Sequence, residues 1–141
     1  MLRQRFRIRK YDWNVTVFYA VTRYWVNDIM NALERIGCSG EILHEAYEQL
    51  VCGDVNSGLT YSNKERGETV MVIALASSAE EFMKSWTHEM GHLKDHIASA
   101  YGVSPHGEEI QYLGDDIISE MWDMAHKFVC CECKPKVRRW R

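Results

Sequence analysis

The apolar positions of this chain follow two periods, and each period predicts a different kind of element. From Arg3 to Arg9, arginines alternate with amide or apolar residues, which is the two-residue period of a half-exposed strand, and residues 13–21 are rich in strand-forming types. These two segments predict a β-hairpin. Apolar residues at three- and four-residue steps predict helices over 24–36 and 39–51, and short apolar segments predict strands over 59–62 and 69–76.

Between residues 78 and 129, apolar residues recur at helical spacing in two separate segments. Ser77 or Ser78 is a suitable N-cap for a helix over residues 78–101, and Gly102 stands where that helix would end. A second long helix is predicted from Glu108 to about residue 129. At 141 residues and 46% hydrophobic composition, the chain is predicted to form one α+β domain over residues 1–141. We expect a short mixed or antiparallel sheet packed under the first of these helices.

The helix over 78–101 carries His88-Glu89-Met90-Gly91-His92, a spacing that suits metal chemistry. Residues four apart lie one above the other on a helix, so two imidazoles can hold one ion while Glu89 serves as a general base. Both histidines fall off the apolar stripe and Glu89 lies on its flank, so the ligand face is separate from the core face. Gly91 is expected to permit a close approach. The alternative is a solvated helix face that happens to carry two histidines.

A third protein ligand must come from another segment. His96 lies roughly 12 Å along the helix from His88, too far to share a tetrahedral ion with both histidines, and is interpreted as a supporting or surface residue. Glu109, at the margin of the buried face of the second helix, is the favoured ligand, with Glu108 or His106 as alternatives. Both glutamates could instead be ordinary first-turn residues favoured by the helix dipole.

Two further residues could assist such a site. Asp95 is a candidate acceptor for a ligand imidazole, although an exposed helix aspartate is the simpler interpretation. Tyr112 is a candidate donor to a developing oxyanion, against the simpler interpretation of a partly buried helix tyrosine.

The motif, the short loop after it and a following helix that opens Glu108-Glu109-Ile110-Gln111-Tyr112-Leu113 resemble the gluzincin metallopeptidases, and in particular the small ImmA/IrrE-like proteins. The resemblance covers roughly residues 69 to 125. It implies a zincin-like domain in which His88, His92 and Glu109 hold one Zn²⁺ ion. Ile110-Gln111-Tyr112 departs from the small and amide residues usual in the family's second motif. Proteins of this kind often belong to phages or mobile elements, and their target can be a single protein.

The expected function is therefore that of a zinc-dependent peptidase, a hydrolase that cleaves peptide bonds with metal-activated water and Glu89 as general base. Its partner would be a protein or peptide substrate. The alternative is a noncatalytic, metal-stabilised interaction or regulatory protein. Retention of Glu89 favours catalysis, because a structural metal site needs no adjacent base.

The cysteine pattern and the length of the apolar runs indicate the cellular compartment of the protein. Five cysteines, three of them at positions 130, 131 and 133, do not resemble a secreted disulfide framework, and no signal-peptide pattern follows the basic N-terminus. The longest apolar run, residues 70–76, is too short to span a bilayer. These features predict a cytoplasmic protein without a membrane partner. His126 with Cys130, Cys131 and Cys133 could in principle bind a second zinc, but reduced thiols at a helix end are the simpler interpretation.

Charge is unevenly distributed along the chain. Residues 1–10, the predicted basic strand, and residues 134–141, in the basic tail over 131–141, each hold five Lys or Arg. The interval 11–133 holds seven Lys or Arg against all twenty Asp and Glu. Nucleic-acid binding through the basic ends is possible, although no recognised nucleic-acid motif accompanies them and solvated termini are the default expectation.

Overall fold

A computed structural model describes residues 2–22, 25–52 and 58–129. These ranges contain four strands, four α-helices and two short 3-10 turns. The elements in chain order are β1 (Leu2–Ile8), a 3-10 turn (Arg9–Tyr11), β2 (Trp13–Val21), α1 (Val26–Arg35), α2 (Gly40–Cys52), β3 (Gly58–Asn63), β4 (Glu68–Ala74), α3 (Ala79–Tyr101), α4 (Glu108–Ala125) and a 3-10 turn (His126–Phe128).

The four strands form one mixed sheet in the order β1-β2-β4-β3. β1 and β2 form the predicted hairpin, with Leu2 opposite Tyr19 and Ile8 opposite Trp13. β2 pairs in parallel with β4, and β3 pairs antiparallel with β4. Within the described residues, β1 and β3 are therefore the two edge strands.

Each face of the sheet is covered by a different pair of helices. Helices α3 and α4 pack on one face, where α3 contacts β3 and β4 while α4 contacts β1. Their core includes Trp13, Tyr19, Leu93 and Ile117, all buried. Helices α1 and α2 contribute the core of the other face with the alternate strand residues Phe18, Val70 and Val72. Strand side chains point alternately to the two faces, so the two-residue period divides each strand between the two cores.

The α+β class, the mixed sheet and the second long helix are confirmed. The predicted strand over 69–76 ends at Ala74, and the predicted helix to about residue 129 is α-helical only to Ala125 before a 3-10 turn. No helix in the described ranges is long and apolar enough to cross a membrane. The tail over 131–141 and the cysteines at 130, 131 and 133 lie outside the described residues.

Candidate metal centre

The helix that carries the motif begins and ends as its sequence predicts. Ser78 Oγ accepts a hydrogen bond from the backbone N–H of Glu81 at 3.1 Å, which makes Ser78 the N-cap. Ser77 Oγ donates to Glu81 Oε1 at 3.0 Å, and the helix closes on Gly102 in the left-handed conformation. The result is a 23-residue helix with its apolar stripe on the sheet.

His88 and His92 are exposed and lie together on this helix. Their Nε2 atoms are 3.3 Å apart, and their rings are nearly perpendicular with centroids 4.8 Å apart. Two nitrogens bound to one tetrahedral zinc at about 2.05 Å would be separated by about 3.3 Å. The two imidazoles therefore have the spacing that a shared zinc ion requires, as the four-residue spacing predicts.

Glu89, which follows His88 in the chain, is buried and only 1% exposed. Thr60 on β3 donates its hydroxyl to Glu89 Oε1 at 2.7 Å and lies 3.4 Å from the carbonyl oxygen of the same residue. A buried carboxylate is costly without hydrogen-bond donors, so this contact stabilises its orientation. The carboxylate is held at the junction between α3 and the edge strand.

His96 lies one turn beyond His92 on the same side of α3 and is also tied to β3. Its Nδ1 is 2.6 Å from Ser62 Oγ, and Ser62 Oγ is 2.7 Å from Thr69 Oγ1. The buried indole N–H of Trp13 donates to Thr69 Oγ1 at 2.7 Å. Partial burial lowers the pKa of His96, and Lys64 and His92 add to the effect. His96 is thus half-buried, and its ring centroid is 6.4 Å from that of His92.

The Glu109 carboxylate contacts Tyr11 and Lys10 rather than the two histidines. Its Oε2 accepts a hydrogen bond from the Tyr11 hydroxyl at 2.7 Å and lies 3.5 Å from Lys10 Nζ. The Tyr11 hydrogen bond, followed by the charge of Lys10, lowers the pKa of the Glu109 carboxyl. Burial and the same carboxylate raise the pKa of Tyr11 to about 12. The structure does not bring Glu109 to the two histidines.

Helix geometry explains this placement. Trp86 contacts Met121 of α4, and Lys94 lies against Gly114 of α4, so the row 86, 90 and 94 faces the second helix. Residues two positions apart on a helix point about 160° apart, which turns His88 and His92 away from α4. The start of α4 also lies beside the end of α3, about 14 Å along the axis from His92.

The two alternative ligands, Glu108 and His106, are exposed at the same end of α4 and in the loop before it. Across residues 2–22, 25–52 and 58–129, no three His, Cys, Asp or Glu side chains are grouped closely enough to hold a metal ion. The two imidazoles fit zinc, whereas the described residues do not complete a three-ligand set. The role of Glu109 as a ligand stays a prediction.

The remaining residues that the sequence singles out are Asp95, Tyr112, His126 and Gly91. Asp95 is exposed, Tyr112 is 60% exposed, and in the described part of the chain neither makes a side-chain hydrogen bond to an imidazole. His126 Nδ1 lies 2.8 Å from the carbonyl oxygen of Trp122, and its predicted cysteine partners fall outside the described residues. Apart from the neighbouring residues and the backbone of α3 itself, no described atom lies within 4 Å of a Cβ added at Gly91.

Sequence reasoning missed Thr60 and Ser62, which carry the polar contacts from β3 to α3. The signal was present in the predicted strand, because Thr60 and Ser62 alternate with Leu59 and Tyr61. Leu59 and Tyr61 pack on the α1/α2 core, so the two hydroxyl residues face the motif helix.

No family model, no curated protein and no solved structure matches the chain.

Proposed function

We propose that this protein is a zinc-dependent peptidase that uses Glu89 as its general base. The observation that carries the proposal is the 3.3 Å separation of the His88 and His92 Nε2 atoms on the exposed side of α3. Without a cation, two neutral imidazoles gain little from facing nitrogens at this distance unless one donates to the other. With a cation, both lone pairs are used.

Each residue has a distinct role in this proposal. His88 and His92 hold the ion through neutral imidazoles. When bound, zinc supplies a Lewis acid that polarises a carbonyl oxygen and acidifies water. Glu89 accepts the proton of the attacking water and returns it to the leaving nitrogen. Thr60 keeps the Glu89 carboxylate in one orientation through its 2.7 Å hydrogen bond.

The position of β3 supports a polypeptide substrate. β3 pairs with β4 on one side, and the described residues place no strand on its other side. An unpaired strand edge offers N–H and C=O groups to an extended chain, which can add as a further strand. Thr60 and Ser62 link this strand to the motif helix, so a chain bound along the edge would run beside Glu89.

A cytoplasmic setting is part of the proposal. Cys38 and Cys52, the two cysteines that the structure describes, are free thiols, as suits a reducing compartment. Burial raises the pKa of the Cys38 thiol, which lowers its reactivity.

The first test separates metal binding from catalysis. Glu89→Gln keeps a carbonyl oxygen for the Thr60 hydroxyl and should bind zinc as the parent does, because Glu89 is not a ligand. It should lose hydrolysis by at least about a hundredfold, the usual contribution of a general base. Zinc content and cleavage of candidate host proteins are measured with and without chelator. The matched control is Glu80→Gln, an exposed glutamate on the same helix, which should leave both unchanged.

The second test examines the ligands. His92→Ala should lose zinc and hydrolysis together, whereas His44→Ala, which removes an exposed histidine on α2, should lose neither. Glu109→Gln should keep the parent's zinc affinity, because Glu109 is bound to Tyr11 and Lys10. Loss of zinc in Glu109→Gln would identify Glu109 as the predicted third ligand.

The alternative, a noncatalytic metal-stabilised interaction protein, predicts different results. In that case Glu89→Gln would give the same result as the parent in every cleavage assay. Zinc would raise the free energy of unfolding without producing cleavage. Equal cleavage of a validated substrate by the parent and Glu89→Gln would end the enzymatic proposal.

A further inference from the structure

A groove of about 510 Å³ lies on the sheet face opposite the motif helix, between β1, β2 and α1. Its walls carry Arg3, Arg5 and Arg7 from β1 and Arg35 from the last turn of α1. Asn14 and Thr16 of β2 provide neutral hydrogen-bonding groups between them. Its volume is within the range of ordinary ligand sites.

The two-residue period of β1 produces this row of arginines. Gln4, Phe6 and Ile8 point to the other face, where Gln4 donates to the carbonyl oxygen of Glu120 and the two apolar side chains are buried. The arginines therefore all point to the α1 side, with Arg5 opposite Thr16 and Arg7 opposite Asn14. Alternate residues on a strand are about 6.8 Å apart, so the row presents charges at regular intervals.

The charges of the groove are mostly uncompensated. Arg7 forms an ion pair with Asp12 at 2.6 Å. No carboxylate in the described part of the chain lies within 4.0 Å of the guanidinium groups of Arg3, Arg5 or Arg35. The groove also contains Asp28 and Glu68, and Glu68 is paired with Arg66 at 2.8 Å. Arg7 is thus compensated by Asp12, and the other three arginines share the groove with Asp28 and with Glu68, which is already paired with Arg66.

Protection of an edge strand explains part of this pattern. Outward charges on β1 would discourage pairing with another sheet. That account does not cover Arg35, which reaches the same groove from a helix on the opposite wall. Positive charge from both walls of a concave site attracts an anion, and the low-dielectric walls strengthen its field.

We propose that this groove binds the phosphodiester backbone of a nucleic acid. Guanidinium groups recognise phosphate oxygens with two parallel hydrogen bonds, and all four cations of the groove are arginines. A row of charges at regular spacing suits a linear polyanion. The two aromatic side chains that line the groove, Phe6 and Phe18, are 8% and 1% exposed, so the described walls offer phosphate contacts rather than base stacking.

A nucleic acid is favoured over an acidic polypeptide because its backbone charge is continuous. Phosphate contacts carry no sequence information, so binding should be independent of base sequence and sensitive to salt.

The test uses the full chain and a fluorescent single-stranded oligothymidylate, followed by anisotropy across a series of salt concentrations. Arg5→Gln combined with Arg35→Gln should weaken binding on the order of tenfold or more, as expected for loss of hydrogen bonds to a charged group. Each lost phosphate contact should also reduce the slope of log K against log salt by about 0.7. The matched control is Arg9→Gln, an exposed arginine of the 3-10 turn outside the groove walls, with a slope near that of the parent.

Three outcomes would overturn the proposal. The first is the absence of oligonucleotide binding by the parent. The second is weakening by Arg9→Gln equal to that by the combined Arg5→Gln and Arg35→Gln variant, which would assign binding to the basic residues in general. The third is polyglutamate binding as tightly as the oligonucleotide, which would make the groove a site for acidic polypeptides. Arg35→Gln alone, on α1, provides a test that does not depend on the folding of β1, and circular dichroism checks each variant.

Discussion

Thr60 and Glu89 form a polar contact that joins the edge strand to the motif helix. Thr60→Val keeps the shape of the side chain but removes the donor to a carboxylate that is 1% exposed. Loss of a hydrogen bond to a buried charged group should lower the free energy of unfolding by about 1–3 kcal/mol. Urea denaturation of the metal-free protein measures this change.

Thr60→Ser is the matched control, because it retains the hydroxyl and should stay within about 1 kcal/mol of the parent. If Thr60→Val and Thr60→Ser were equally stable, the hydroxyl would not hold Glu89. In the proposed peptidase, Thr60→Val should also reduce cleavage more than zinc content, because Thr60 positions the base rather than the metal.

At the scale of elements, adding a side chain is expected to have opposite effects on stability at two glycines beside the site. Gly58 begins β3 with φ of +150°, and an added Cβ would lie 1.8 Å from the carbonyl oxygen of Val72 and 3.1 Å from Glu89 Cγ. Gly91 lies within α3, where an added Cβ meets no described atom within 4 Å. Gly58→Ala should therefore destabilise by more than about 2 kcal/mol, and Gly91→Ala should stabilise by about 0.5–1 kcal/mol.

Thermal unfolding of the two variants checks this pair. A stable Gly58→Ala protein would mean that the start of β3 is not held against β4 and α3 as described. Destabilisation by Gly91→Ala would mean that another part of the chain packs closely on this side of α3.

The sequence predicts the secondary-structure elements better than it predicts which elements pack against one another. Helix α3, its Ser78 cap and the pairing of His88 with His92 all follow from spacing within one segment, and the structure confirms their geometry. Periodicity fixes which residues share a helix face, but it does not state which element covers each side. The position of Glu109 at the margin of the buried face of the second helix predicts that it faces a neighbouring helix, but does not identify which side of that neighbour it meets.

In the structure, α4 packs against the side of α3 that carries Trp86 and Lys94. The histidine side lies next to β3, a neighbour set by the strand order β1-β2-β4-β3. That order depends on a parallel pairing between β2 and β4, residues that are far apart in the chain. Local patterns do not indicate this pairing. The alternation within residues 59–62 places Thr60 and Ser62 on one face of β3, but it does not indicate that this face lies against α3.

At the scale of the whole molecule, a chain of hydrogen bonds crosses three strands to reach the motif helix. Trp13 on β2 donates to Thr69 on β4, Thr69 contacts Ser62 on β3, and Ser62 contacts His96 on α3. The indole can only donate, so Thr69 must accept from it. A charged His96 has to donate from Nδ1 to Ser62, so a Ser62 hydroxyl that donates to the neutral ring would have to reorient.

This chain predicts how the stability of the metal-free protein depends on pH. Burial, with the charges of Lys64 and His92, lowers the pKa of His96 below the ordinary value of 6.5, while Asp95 acts in the opposite direction. The unfolded chain therefore takes up the proton more readily than the folded chain. The stability that neutral His96 contributes is present above about pH 6.5 and is lost as the pH falls from there towards the folded-state pKa.

His96→Gln tests this dependence, because glutamine keeps a polar partner for Ser62 but does not titrate. Urea denaturation in chelator at about pH 7.5 and about pH 5.5 should show a smaller loss of stability for His96→Gln than for the parent. His44→Gln, which removes an exposed histidine on α2, should retain the parent's loss. If His96→Gln lost as much stability as the parent on acidification, the pH dependence would arise from another group, and the hydrogen-bond chain would not couple the sheet to protonation of the helix.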